Sequence, residues 1–367
     1  MAQVRIRKTN MELLRCLSMV MVVAIHLFTK TSVLWEIPVD SPAYYASWIL
    51  YGLCMTGVNC FVLITGYFMV NAEFKCEKLL KIYAQVLFYS IAIALTVKYV
   101  LHLELSTGWL KAVLPITRRE YWFATVYLGL YILSPFMNIL IRNLDRKIFK
   151  RLLLILGVLF SVIPNFFYAN NWLEDGGAYG IVWFIFLYLT GAYIRKYHDV
   201  IADRKYGWYY LTAIAIIPIG KFAIMLAGNG LHILEPEKVL KVSEVFYQFN
   251  TVPSLLASVF LFLCFARTRE SFGKANRVIA WGGSLSFGVY LIHNNPNLSH
   301  FLWEKLKINY WLAENGNVLI VLLLLLAVYI VCSLIEWLRQ QLFRVFQIDR
   351  LIGKIADGLK YVFGKYF

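Results

Sequence analysis

The sequence predicts an all-α integral membrane protein, a polytopic transmembrane bundle of about ten spans with both termini in the cytoplasm. Hydrophobic residues make up 60% of the 367 residues and charged residues only 16%, too few to cover a water-soluble globule. Apolar runs of about 17–25 residues, each long enough to cross a bilayer, recur from end to end. Lysine and arginine cluster in alternate loops, which is typical of loops that face the cytoplasm.

The apolar runs define ten predicted spans within one domain. Each run is too long and too uniformly apolar for a barrel strand, and a helix satisfies its own backbone hydrogen bonds in lipid. The predicted spans are 11–29, 46–70, 80–101, 121–141, 152–168, 180–195, 208–227, 250–266, 278–294 and 317–338. Residues 1–338 therefore form the predicted transmembrane domain. The basic tail, 339–367, is predicted either to lie as an amphipathic cytoplasmic helix on anionic lipid or to be loosely ordered.

The distribution of charge and of cysteine argues against two kinds of site. A net charge of +15 raises nucleic acid as a partner, but the basic residues sit in short clusters between apolar runs and form no single basic face. We therefore predict no nucleic-acid binding. The six cysteines have no metal-type spacing, so we predict reduced, buried thiols and no metal site. The first apolar run has no small-residue cleavage site and is predicted to be a retained helix.

The first predicted helix carries three ionisable residues at a depth where they are costly: Glu12, Arg15 and His26. Arg15 and His26 are 11 residues apart, so they project from one face, about 16 Å apart along the axis. Glu12 precedes Arg15 by one turn and can pair with it. This stripe makes the three residues functional candidates. The alternative is that Arg15 snorkels to the interface, Glu12 neutralises it and His26 is a packing residue.

Polar residues near the second and third spans form another candidate group. Asn59 is a polar group inside the second span. Lys78 and Lys81, three residues apart at the start of the third helix, project from one side and could hold an anionic group at the cytoplasmic surface. The alternative for both lysines is that they only follow the positive-inside bias.

Two further segments carry candidate residues at the ends of spans. Trp122 and Tyr127 open the fourth span, where an interfacial aromatic belt is the alternative interpretation. His293 and Asn294 end the ninth span at the predicted outer surface. A histidine beside water costs little, so a purely structural role for His293 is also open.

Taken together, these segments resemble the acyltransferase 3 family of membrane-bound acyltransferases. Arg15 and His26, with ten residues between them, resemble the family's Arg-x10-His signature. NCFVLITGYF resembles its second-helix motif, YWFATVYLGLYILSP its aromatic mid-chain motif, and LSFGVYLIHN its late-helix motif. The resemblance covers essentially the whole chain, in order. Lys78 and Lys81 stand where the family often has an arginine pair, which keeps the charge but loses the bidentate fork.

The resemblance implies that residues 1–338 are an acyltransferase 3-like domain in the bacterial plasma membrane. It implies transfer of an acyl group, usually acetyl, from cytoplasmic acyl-CoA to a hydroxyl of a cell-envelope glycan or glycolipid. Acyl-CoA, a carbohydrate or glycolipid acceptor and the lipid bilayer are then the expected partners. A neutral imidazole can accept the hydroxyl proton, so His26 is the expected general base.

The expected roles of the other candidates follow from the same resemblance. The remaining catalytic candidates are Arg15 and Glu12. The residues expected to bind the phosphates of CoA are Arg15, Lys78 and Lys81. The residues expected to contact the substrate are Asn59, Trp122, Tyr127, His293 and Asn294.

Two other functions stay open at this point. A glycan flippase or secondary transporter without acyl-transfer activity would also place polar groups inside the bilayer. It would favour broken helices in both halves and more acidic residues at depth, and the sequence has neither pattern. A structural or partner-binding subunit would have no reason to place Arg15 and His26 on one stripe.

Overall fold

The structure is a computed structural model that describes residues 8–167, 173, 176–201, 205–231 and 235–363. These residues form helices and connecting turns and contain no strand, so the all-α prediction is confirmed. The helices are α1 Thr9–Lys30, α2 Val33–Glu36, α3 Pro42–Cys54, α4 Gly57–Met69, α5 Cys76–Leu95, α6 Gly108–Val113, α7 Trp122–Asn143, α8 Arg146–Gly157, α9 Ile163–Phe166, α10 Ile181–Lys196, α11 Tyr206–Leu231, α12 Pro236–Ser243, α13 Val252–Arg267, α14 Ala275–His293, α15 Pro296–Lys305, α16 Val318–Val345 and α17 Ile348–Phe363. Short π-helical turns lie at Thr96–Val100, Val158–Val162 and Tyr310–Glu314, and short 3-10 turns at Gly177–Tyr179, His198–Ile201 and Glu244–Phe246.

Within these ranges, seven helical segments are long and apolar enough to cross a membrane, so the chain is a multi-pass membrane protein. The seven are Thr9–Lys30, Pro42–Met69, Cys76–Val100, Trp122–Asn143, Arg146–Phe166, Tyr206–Gly230 and Val318–Val345. The other three predicted spans coincide with helices α10, α13 and α14, which are shorter or less apolar. The count of ten and the cytoplasmic placement of both termini stay predictions.

The second predicted span is broken in the structure. Helix α3 ends at Cys54 and helix α4 begins at Gly57, where the sequence predicts one continuous helix. Gly57 lies against α1, since a Cβ atom there would be 3.0 Å from both Met21 Cβ and the Ser18 carbonyl oxygen. The interruption is short, because Met55 and Thr56 keep right-handed helical backbone angles, and Pro42–Met69 as a whole is long enough to cross a membrane.

Helices α4 and α10 pack with their backbones almost in contact. A Cβ atom on Gly66 would lie 2.1 Å from the Tyr188 carbonyl oxygen, and one on Gly191 would lie 2.3 Å from the Leu63 carbonyl oxygen. Only glycine permits this approach, which is the small-residue packing that membrane helices use. Helix α1 packs against α4 on one side and against α14 on the other. This arrangement holds α1 in the interior of the bundle.

The last two helices both contact α5, α16 through its buried Glu336 and α17 through apolar side chains. Glu336 of α16 is fully buried and accepts hydrogen bonds from Arg339 at 2.7 and 2.9 Å and from the Tyr89 hydroxyl of α5 at 2.7 Å. Helix α16 continues beyond the predicted domain boundary at residue 338. The described part of the tail is helical, and α17 packs against α5 with Ile352 and Ala356 buried.

Candidate active site

A cavity of about 730 Å³ extends along one face of α1. Arg15, Met19, Val22, His26 and Lys30 line it at intervals of three or four residues, which is the spacing of one helix face. The 15 residues from Arg15 to Lys30 rise about 22 Å, most of a hydrocarbon core about 30 Å thick. Arg15 and His26 therefore share one wall of a single cavity.

The end of the cavity at Arg15 is cationic. Arg15 Nη1 donates to Glu12 Oε1 at 2.8 Å, and Lys78 of α5 also lines this end. Glu12 is 4% exposed and lies behind Arg15 against α14, where a Cβ atom on Gly283 would be 2.2 Å from Glu12 Oε2. The carboxylate thus holds the guanidinium in place. An anionic ligand would meet Arg15 and Lys78 here, and Lys30 and Arg119 are the other basic residues that line the cavity.

Lys81 lies outside the cavity, contrary to the expectation that it shares a binding site with Lys78. Its Nζ atom is 2.8 Å from Glu77 Oε1 and 3.5 Å from Asp349 Oδ1 of α17. Packing of α17 against α5 supplies the second carboxylate, which the sequence of α5 alone does not reveal. Lys81 therefore joins two helices, while Lys78 lies with its Nζ atom 5.0 Å from the centre of the Tyr131 ring.

His26 and His293 form a hydrogen-bonded pair, although 267 residues separate them. The distance from His26 Nδ1 to His293 Nε2 is 2.9 Å, and His293 Nδ1 lies 2.5 Å from the Val289 carbonyl oxygen. His293 is fully buried and does not line the cavity, whereas His26 does. His293 thus contacts the first helix and not the space that a substrate would enter.

The hydrogen bonds of the pair determine where the protons lie. The Val289 carbonyl can only accept, so His293 Nδ1 carries a hydrogen and donates it. Nε2 of a neutral His293 is then an acceptor, and His26 Nδ1 donates to it. The lone pair of a neutral His26 is therefore on Nε2, the ring nitrogen left to accept a proton from a molecule in the cavity.

The stretch of sequence that contains the lining residues of this cavity matches a known protein family. The family model of acyltransferase 3, described as an acyltransferase domain, matches residues 8–337. The chain belongs to the acyltransferase 3 family. No curated protein and no solved structure matches the chain. The resemblance seen in the sequence is confirmed, and the protein is a membrane acyltransferase.

Three of the five residues expected to contact the acyltransferase substrate line the cavity, whereas His293 and Asn59 do not. Trp122, Tyr127 and Asn294 are lining residues beyond the cationic end. Asn59 is fully buried outside the cavity, and its amide donates to the Phe249 carbonyl at 2.8 Å and accepts from Trp183 Nε1 at 3.1 Å. These bonds join α4 to α10 and to the turn before α13. The amide group of Asn59 serves to connect these segments. Its presence within a predicted span therefore did not indicate a residue that contacts the substrate.

One acidic residue of the cavity, Glu120, was not among the residues predicted from the sequence. Glu120 precedes α7, is 7% exposed and lines the cavity at the end that holds Lys30 and Asn294. The Thr107 hydroxyl donates to Glu120 Oε1 at 2.8 Å. Burial raises the pKa of Glu120, although the Thr107 hydrogen bond and Lys111 act in the opposite direction. The available signal was an acidic residue directly before the aromatic motif that opens α7.

Proposed function

We propose that the protein transfers an acyl group, most simply acetyl, from cytoplasmic acyl-CoA to a hydroxyl of a cell-envelope carbohydrate or glycolipid. One observation carries this proposal: a single cavity joins the cationic end at Arg15 and Lys78 to a histidine whose Nε2 atom can accept a proton. The family membership supports the reaction class, and the arrangement of these residues supports the order of the two substrates along α1.

The donor would bind with its phosphates at the Arg15 end. A guanidinium and an ammonium group are the side chains that bind phosphate oxygens most strongly. Glu12 keeps the guanidinium oriented. The extended pantetheine arm would then follow Met19 and Val22, two apolar side chains between Arg15 and His26 on the same wall. The thioester would then lie near His26, and the nucleotide would stay at the Arg15 end.

The chemical step needs one proton acceptor. The acceptor hydroxyl attacks the thioester carbonyl, and His26 Nε2 takes the hydroxyl proton as the new carbon–oxygen bond forms. The carbon–sulfur bond then breaks, and the CoA sulfur takes the proton from the imidazolium. The products are the acyl ester and free CoA thiol, and His26 returns to its neutral form.

The acceptor would enter from the end of the cavity at Asn294. Trp122 and Tyr127 offer aromatic rings there, and Asn294 and Glu120 offer hydrogen-bonding groups to hydroxyls. His26 lies between this group and the cationic end, so a bound hydroxyl would meet the thioester at the imidazole.

Acetyl-CoA labelled in the acetyl group tests the reaction class directly. The protein is placed in phospholipid nanodiscs and incubated with labelled donor and a bacterial envelope glycan fraction. We expect label in the carbohydrate fraction and stoichiometric release of CoA thiol. Unchanged acetyl-CoA, with neither transfer nor hydrolysis above that of empty nanodiscs, would instead favour a transporter.

The proposed donor site predicts different effects on the KM for acetyl-CoA when Lys78 or Lys81 of α5 is replaced by alanine. Lys78→Ala should raise KM for acetyl-CoA by about tenfold, because it removes a charged hydrogen-bond donor to phosphate. The increase should shrink at high ionic strength, since salt screens the lost attraction. Lys81→Ala is the matched control, and we expect its KM to equal that of the parent protein. Equal KM values for both variants across a range of salt would show that Lys78 does not bind the donor.

A further inference from the structure

A second, smaller pocket of about 280 Å³ lies next to the cavity. Tyr51 and Tyr247 line both spaces, and their rings are stacked with centres 5.4 Å apart. Trp35 and Trp48 supply two more walls, with ring planes at 89° and centres 6.2 Å apart. The pocket is thus lined by aromatic rings, two of which it shares with the cavity.

The indole of Trp35 is both exposed and held in position. Trp35 is 54% exposed, an unusual state for a residue that lines a pocket of aromatic rings. Its Nε1 atom donates to Glu244 Oε1 at 2.9 Å, and Glu244 also lines the pocket together with Gln248. The ring is therefore fixed by a hydrogen bond at its edge while a large part of its surface stays accessible.

The charges around the pocket argue against an ionic ligand. Aromatic corners often bind cations, but Lys221 is fully buried with its Nζ atom 3.7 Å from the centre of the Trp48 ring. The ammonium group of Lys241 lines the pocket itself. Both lysines would repel a cationic ligand. An anion would in turn lie beside the carboxyl group of Glu244, which lines the same pocket.

A neutral ring with many hydroxyl groups fits this combination best. The C–H face of a pyranose can pack on an indole, and its hydroxyls can donate to a carboxylate oxygen or an amide carbonyl. Glu244 and Gln248 offer such acceptors beside Trp35. Tyr51 and Tyr247 connect the same space to the cavity that contains His26.

We propose that this pocket is a sugar subsite, which binds one pyranose ring of the acceptor while a neighbouring part of the same glycan enters the cavity. The inference rests on the proposed function, because it assumes that the acceptor is a carbohydrate. Acceptor length then matters: a single sugar would use the cavity alone, and a longer glycan would also contact Trp35.

Glycan binding in the absence of donor tests the subsite. The parent protein, purified in phospholipid nanodiscs without sugar-headed detergent, is applied to an array of bacterial surface oligosaccharides. We expect it to bind at least one glycan of two or more sugars. Trp35→Ala should bind that glycan roughly tenfold more weakly, and Trp35→Phe, which keeps an aromatic face, should lie between the two.

Trp109→Ala is the matched control, because Trp109 is also partly exposed and lines neither of the two spaces. It should bind the array as the parent does. A parent protein that binds none of the glycans, or a Trp35→Ala variant that binds with parental affinity, overturns the subsite. Since the assay contains no acyl-CoA, glycan binding by a protein that transfers no label would contradict the proposed function and leave the subsite standing.

Discussion

Replacing His26 by glutamine should lower the rate of acyl transfer by a factor on the order of 10² or more, because general-base assistance typically contributes about that much. Glutamine keeps polarity and much of the size of histidine but cannot take a proton at neutral pH. Acyl-CoA binding should be retained, since Arg15 and Lys78 lie at the other end of the cavity. Single-turnover transfer of labelled acetyl and a separate acetyl-CoA binding measurement distinguish the two effects.

Thr29→Ser serves as a control on the same wall of α1, one turn beyond His26. This substitution keeps the hydroxyl, which bonds to the Ile25 carbonyl, and should leave the transfer rate near the parental value. A near-parental rate in the His26→Gln variant would contradict the assignment of His26 as base. Glu120 would then be the better candidate, because it lines the same cavity, whereas Glu12 is paired with Arg15.

Replacing His293 by leucine should lower the transfer rate roughly tenfold to a hundredfold, as loss of a partner that orients a functional histidine commonly does. Without His293, nothing described in the structure keeps the hydrogen of His26 on Nδ1, and the lone pair is no longer held on Nε2. Acetyl-CoA KM should stay near the parental value, so that the loss appears in kcat. His293 is a positioning residue, because it reaches the substrate only through His26.

The variant His293→Gln distinguishes two roles of His293, orienting His26 and filling space in the bundle. In His293→Gln, the amide oxygen can accept from His26 Nδ1 while the amide nitrogen donates to the Val289 carbonyl, which reproduces both bonds of the parent. We expect this variant to recover a large part of the lost rate. If His293→Leu and His293→Gln have the same low kcat and the same lowered melting temperature, His293 contributes packing only.

The parts of the site that follow from helix periodicity could be predicted from the sequence. Arg15 and His26 share a wall because the angle between residues of one helix is a property of the backbone. The pairing of Glu12 with Arg15, one turn apart, is of the same kind. The all-α class likewise follows from composition and from the length of the apolar runs.

The parts that depend on contacts between distant segments could not be predicted. A buried polar group needs partners, and those of Asn59 lie 124 and 190 residues away along the chain. The same holds for Lys81, whose second carboxylate comes from α17, and for His293, which binds the first helix. Trp35 and Glu244 are ordinary loop residues in the sequence, and only the fold brings them to one pocket.

The position of the cavity along α1 has a consequence for the electrical insulation of the membrane. A water-filled path over most of the bilayer thickness would conduct ions and dissipate the membrane potential. Here the wall between Arg15 and His26 carries the apolar side chains Met19 and Val22, which cannot replace the water around an ion. Arg15 and Lys30 place a positive charge toward each end of this wall, and both repel metal cations. A cation that entered the cavity would therefore meet two like charges and an apolar stretch, which opposes leakage across the bilayer.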